Sequence, residues 1–261
     1  MLVLPVRRLV LALCAVAFSG CSSLTPAEGA GGSPVPPTQT GLPGGFSVLE
    51  VPGFAPSVFY SPRGTSVHPL VVASHGAGGN PEGECEYWMK LTGGRAFLLC
   101  LRGTPLDVRY PSAYYYRDHF ALGRELKAAL SAVRQQHGAR FAKGAGLYAG
   151  FSQGAIMAVG MIPEFGAELP HLVLIEGGFD YWSVPHARKY AKAGGKRVLI
   201  ACGTDGCARK ARKAAEWLRQ AGLEAQVAYA PGAGHTPGGA VMEEVSAALP
   251  WVVADSEAWR R

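Results

Sequence analysis

The pentapeptide Gly150-Phe151-Ser152-Gln153-Gly154 constrains this chain more than any other stretch. Before it, Ala145-Gly146-Leu147-Tyr148-Ala149 has the length and apolar content of a buried strand. After it, Ala155 to Met161 can open a helix. A strand that turns straight into a helix forces the serine at the turn into a strained backbone. Side chains two positions to either side would collide, which Gly150 and Gly154 avoid. The helix would start behind Ser152 and direct its positive end at the site. In a chain holding 35 glycines, a Gly-x-Ser-x-Gly match alone carries little weight. Its surroundings carry more: a His-Gly loop lies upstream, and an Asp and then a His lie downstream.

The rest of the chain supplies an alternating frame. Phe46 to Val51 and Ser57 to Tyr60 predict two edge strands, with a Pro/Gly turn between them. His68 to Ser74 predicts a more buried strand that ends in His75-Gly76-Ala77-Gly78-Gly79, and Arg95 to Leu101 predicts the next. Leu122, Leu126, Ala129, Leu130 and Val133 share one helix face within Asp118 to Gln136. Further strands are predicted at His171 to Ile175, Lys196 to Ala201 and Glu224 to Tyr229. Between the last two, Ala208, Ala211, Ala215, Leu218 and Ala221 line a helix, and Ala240 to Val253 closes the chain with another. Strands alternating with helices at this spacing imply an α/β fold, a mostly parallel sheet with helices on both faces. Ligands of such sheets gather beyond the carboxyl ends of the strands. The His-Gly loop, Ser152, Asp205 and His235 all fall there.

These residues resemble those of the α/β-hydrolases, near the carboxylesterase, dienelactone hydrolase and polyhydroxybutyrate-depolymerase type. The resemblance covers Phe46 to Val253. It rests on the His75 loop, the Ser152 pentapeptide, Cys202-Gly203-Thr204-Asp205, Gly234-His235 and the chain order Ser, Asp, His. It implies a serine hydrolase that cleaves carboxylic esters through an acyl-enzyme, with no cofactor and no metal. The absence of a long insertion after Ile175 implies no large lid. A serine hydroxyl needs a base to take its proton, and the base needs a carboxylate to hold its tautomer. Ser152, His235 and Asp205 are the expected set. Gly203-Thr204-Asp205 is one residue shorter than the family's spacing, so Asp180, after Gly177-Gly178-Phe179, stands as the alternative acid. The N–H of Gln153 and that of Ala77 are the expected oxyanion donors, and His75 is expected to orient its loop. The alternatives are a serine peptidase on the same fold and a catalytically inactive binding lipoprotein.

The N-terminus reads as an address. Arg7 and Arg8 precede the apolar run Leu9 to Phe18, which is too short to span a bilayer and has the form of a signal peptide. Phe18-Ser19-Gly20-Cys21 resembles a bacterial lipobox, with Phe18 in place of the usual Leu. Residues 1–20 are thus expected to be removed and Cys21 lipidated, anchoring the protein to the membrane at the cell envelope. A cut after Ala15-Val16-Ala17, giving a secreted protein, is the alternative. Residues 21–45 are rich in Ser, Pro and Gly and read as a flexible linker, leaving 46–261 as the catalytic domain.

Export makes the cysteine count informative. Beyond Cys21 the chain holds Cys85, Cys100, Cys202 and Cys207, and an even set suggests two disulfides. Of the three pairings, Cys85 with Cys100 and Cys202 with Cys207 are nearest in sequence, the second closing a small loop at Asp205. The net charge of +6 is modest, and no nucleic-acid motif accompanies it. The lysines and arginines between His186 and Arg219 read as solvated helix faces, or as attraction to an anionic envelope or polymer. The expected partner is a small or polymeric ester.

Overall fold

A computed structural model describes residues 43–260. The expected signal peptide, Cys21 and nearly all of the expected linker lie outside the described residues.

The chain enters through β1 (Ser47–Leu49) and β2 (Ser57–Tyr60), and β3 (Leu70–Ser74) follows. Next come α1 (Pro81–Thr92), β4 (Phe97–Leu101) and a small pair, β5 (Thr104–Pro105) with β6 (Tyr114–Tyr115). Then come α2 (His119–His137), β7 (Leu147–Phe151), α3 (Gln153–Met161), β8 (His171–Ile175) and α4 (Val184–Lys192). The remaining elements are β9 (Arg197–Cys202), α5 (Asp205–Gln220), β10 (Glu224–Tyr229) and α6 (Gly239–Val252). The main sheet has eight strands in the order β1-β2-β4-β3-β7-β8-β9-β10. Only the pairings of β2 with β1 and with β4 are antiparallel; from β4 to β10 every pairing is parallel.

The parallel strands read as unbroken apolar runs because both faces are covered. Along β3, Leu70 and Val72 point into one core and Val71 and Ala73 into the other. The first core receives Leu122, Leu126 and Val133 of α2, Ala155 of α3, Tyr190 of α4 and Leu218 of α5. The second receives Cys85 and Trp88 of α1 and Val241, Val245 and Val252 of α6.

Two helices were not legible from periodicity. In α1 the buried face includes Glu84 and Thr92 beside Cys85 and Trp88, so polar residues break the apolar stripe. Local signals start and stop it instead. Asn80 accepts from Gly83 N at 2.8 Å, Pro81 opens the first turn, and Gly93 closes it in the left-handed region at φ +57°. Helix α4 buries only Ala187 and Tyr190, too few to show a period. It is the one regular helix between β8 and β9, which keeps that connection short.

Both disulfides take the nearest-in-sequence pairing. Cys85–Cys100 ties α1 to β4, and Cys202–Cys207 ties the end of β9 to the first turn of α5. No described helix is long and apolar enough to cross a membrane.

Candidate active site

The turn at Ser152 has the predicted form. Strand β7 ends at Phe151 and α3 begins at Gln153, leaving Ser152 alone between them at φ +48° and ψ −111°. The flanking glycines are required by contact. A Cβ on Gly150 would lie 2.7 Å from Ala155 N, and one on Gly154 2.5 Å from Ser74 O.

His235, in the loop between β10 and α6, brings Nε2 to 2.9 Å from Ser152 Oγ. Its Nδ1 lies 3.1 Å from a carboxylate oxygen, Oε2 of Glu176. The carboxylate beside the imidazole is therefore neither Asp205 nor Asp180. Asp205 opens α5 and accepts from the hydroxyl of Tyr229. Asp180 pairs with Lys210 at 2.8 Å on the exposed surface. The physical reason lies in strand order. Strand β8 is the direct neighbour of β7, with Phe151 opposite Ile175, so the residue after Ile175 stands beside the turn that carries Ser152. Asp205 follows β9, one strand further away.

Glu176 is closely held. Its backbone is also left-handed, at φ +51°, and its side chain is only 3% exposed. Oε1 accepts from the backbone N–H of Gly203 and from that of Thr204 at 2.9 Å. The Thr204 hydroxyl lies 3.3 Å from Oε2. Buried carboxylates need such donors to remain charged. Gly203 and Thr204 lie inside the loop closed by Cys202–Cys207, so this disulfide braces the groups that grip Glu176. The sulfurs and the carboxylate fall within 4.8 Å of one another, but the sulfurs are bonded to each other and offer no free thiolate to a metal.

Gly154 N donates to His75 O at 3.1 Å, while the N–H groups of Gln153 and Ala77 have no protein acceptor among the described residues. The Gln153 side chain turns away and accepts from Tyr116 N at 2.8 Å. The His75 ring is buried, stacked at 4.8 Å on Tyr116, with Nε2 at 2.9 Å from Arg102 O. Burial lowers its pKa, and both ring nitrogens face backbone carbonyls, those of Gly76 and Arg102, which ties the ring to its loop. Of the aromatic residues near this rim, Tyr116 and Trp182 are core residues and Tyr181 is exposed.

No protein-family model matches the chain. No curated protein matches it in sequence. Solved structures do. Esterase PE8 aligns with a TM-score of 0.57 at 20% identity, over 78% of this chain and 99% of that one. The dienelactone hydrolase from Anabaena variabilis aligns at 0.57 and 15% identity, over 80% and 95%. The chain has the α/β-hydrolase fold. An uncharacterized protein from Bacillus cereus aligns at 0.60 and 16% identity, and there the match covers 75% of this chain but only 63% of the other. At these identities the likeness concerns the α/β-hydrolase fold alone.

Glu176 could have been found in the sequence. It is the residue that ends the apolar strand His171 to Ile175, and Gly177-Gly178 follows at once. That is a strand-to-turn junction one strand along from the nucleophile turn. The family spacing of an aspartate after the penultimate strand points instead to Asp205.

Proposed function

We propose that this protein is a serine hydrolase that cleaves carboxylic esters through an acyl-enzyme. The observation that carries the reading is the relay Ser152 Oγ, His235 Nε2, His235 Nδ1 and Glu176 Oε2, with contacts of 2.9 and 3.1 Å. With its proton on Nδ1 directed at Glu176, His235 presents a free lone pair at Nε2 to the serine hydroxyl. His235 takes the Ser152 proton as Oγ attacks the ester carbonyl. The carbonyl oxygen becomes an oxyanion facing the N–H groups of Gln153 and Ala77. As the intermediate collapses, the carbon–oxygen bond to the alcohol breaks and His235 returns the proton to that alcohol. A water molecule then repeats the sequence on the acyl-enzyme, releasing the acid and restoring Ser152. Glu176 accepts from Nδ1, holds that tautomer and favours the imidazolium. Esterase and dienelactone hydrolase names among the structural neighbours agree with this chemistry.

Labelling by a fluorophosphonate probe, with the adduct mapped to a peptide, tests the nucleophile. The expected adduct is on Ser152. Absence of labelling in a folded protein would refute the reading.

The lipobox-like Phe18-Ser19-Gly20-Cys21 supports placing the enzyme at the cell envelope, anchored through Cys21. Full-length protein produced in bacteria should partition into detergent, and Cys21→Ser should leave it aqueous. If both partition alike, the anchor is not at Cys21.

A further inference from the structure

A small cavity of about 180 Å³ opens beside the nucleophile turn. Its walls include Gly76 and Ala77 of the oxyanion loop, Asn80, Glu84 and Tyr87, and Phe151. Its closeness to the chemistry follows from Gly76, where a Cβ would lie 3.2 Å from the Cβ of Ser152. The wall is mixed in polarity: Asn80 Oδ1 and both ring nitrogens of His75 have protein partners, whereas Glu84 keeps one oxygen without one.

Glu84 is buried, at 4% exposure. One carboxyl oxygen accepts from the indole Nε1 of Trp88 at 3.3 Å. The other has no protein partner among the described residues. No cation compensates the group: Arg102, on the neighbouring loop, is engaged by Glu82 at 2.6 Å. That oxygen is not among the sealed, unpartnered atoms of the described residues, so solvent in the cavity meets it until a polar group of a ligand takes its place. Burial pushes its pKa up to about 8, so near neutral pH it is mostly the uncharged acid. An uncharged carboxyl both donates and accepts a hydrogen bond, and a hydroxyl matches it in both directions. An ammonium group would require the ionised form.

We propose that this cavity is a substrate subsite, and that Glu84 recognises a hydroxyl group carried by the ester a few atoms from the scissile carbonyl. The proposal rests on Ser152 as the nucleophile. The volume sets the reach: at about 30 Å³ per water, the cavity holds roughly six non-hydrogen atoms. The substrate class is thus an ester with a short hydroxylated arm, on either its acyl or its alcohol side.

The experiment compares matched esters on the full domain by titrating the acid released. Methyl 6-hydroxyhexanoate against methyl hexanoate reports the acyl side; 4-hydroxybutyl butanoate against pentyl butanoate reports the alcohol side. In one of the two pairs the hydroxylated ester should show a kcat/KM about three- to tenfold higher, the scale of one hydrogen bond gained in exchange for water. Glu84→Leu should abolish that preference, and Glu84→Gln, which keeps a donor and an acceptor, should retain most of it. Equal handling within both pairs would overturn the proposal, as would methyl 6-aminohexanoate outperforming its hydroxyl analogue. If Glu84→Leu does not fold, the wild-type ratios and Glu84→Gln still decide. Fluorophosphonate labelling of the same wild-type sample separates the two readings. Ser152 labelled without hydroxyl preference sinks the subsite alone. Ser152 unlabelled sinks the nucleophile, and the subsite with it.

Discussion

The carboxyl ends of β7 and β8 use one backbone device for opposite purposes. Each carries a non-glycine residue in the left-handed region, Ser152 at φ +48° and Glu176 at φ +51°, and no other described residue except glycine does so. The two strands pair in parallel, Phe151 opposite Ile175, and Ser152 N donates to Ile175 O at 2.8 Å. After β7 the chain enters α3 at once, and Ser152 is left half-buried on the rim. After β8 comes Gly177-Gly178, and the Glu176 side chain lies beneath His235, enclosed by Gly203 and Thr204. Strain of this type costs on the order of 1–3 kcal/mol at each residue and persists only where the surroundings enforce it. On the proposed function, a fixed turn presents the nucleophile in one case. In the other it buries the carboxyl that faces the base.

The strongest way to break this comparison is at the β7 end. Ser152→Ala should lower kcat by roughly 10⁴- to 10⁶-fold with the circular dichroism spectrum unchanged. An ester hydrolysis rate within tenfold of wild type would mean that the strained turn does not present a nucleophile.

The β8 end should follow closely. Glu176→Gln removes the charge facing His235 Nδ1 and admits the wrong tautomer, a loss of about 10⁴-fold in kcat for triads of this type. A loss of only a few fold, in a folded protein, would reduce Glu176 to a structural residue.

The two disulfides sharpen the same contrast. Cys85–Cys100, with a separation of 15 residues, joins α1 to β4 inside the core. Replacing both cysteines with Ser should cost roughly 3 kcal/mol in denaturant unfolding, by the chain-entropy argument, with kcat little changed. Cys202–Cys207 closes a much shorter loop, but that loop presents the N–H groups that grip Glu176. Its double Ser variant should lower kcat about tenfold, equivalent to about 1.4 kcal/mol in the barrier. Equal kinetic effects of the two pairs would show that the loop around Gly203 needs no brace.

The smallest effects belong to the carboxylates that the sequence favoured. Asp205→Asn and Asp180→Asn should each keep kcat within about threefold, since each would lose only a surface hydrogen bond or ion pair. A near-dead Asp205→Asn with an active Glu176→Gln would return the acid to α5.

The sequence alone determined the parallel frame and the strand-to-helix turn at Ser152, and it singled out His235 as the histidine after the last strand. Buried parallel strands must be apolar throughout, and a strand-to-helix turn must have glycines around its strained residue; both demands are local and leave a readable pattern. It also suggested two disulfides from an even set of four cysteines, and the structure takes the nearest-in-sequence of three possible pairings. Tertiary structure decided which carboxylate faces His235. Asp205, Asp180 and Glu176 all follow strands, and the strand-end position of Glu176 before Gly177-Gly178 makes it a candidate without singling it out. The choice depends on which strand pairs with β7 and which loop donates hydrogen bonds from across the sheet. Tertiary structure likewise decided helix α1, whose buried face mixes Glu84 and Thr92 with Trp88. A polar residue on a helix's inner face erases the hydrophobic period, and its role emerges only once the chain has folded around it and set it against the cavity beside Ser152.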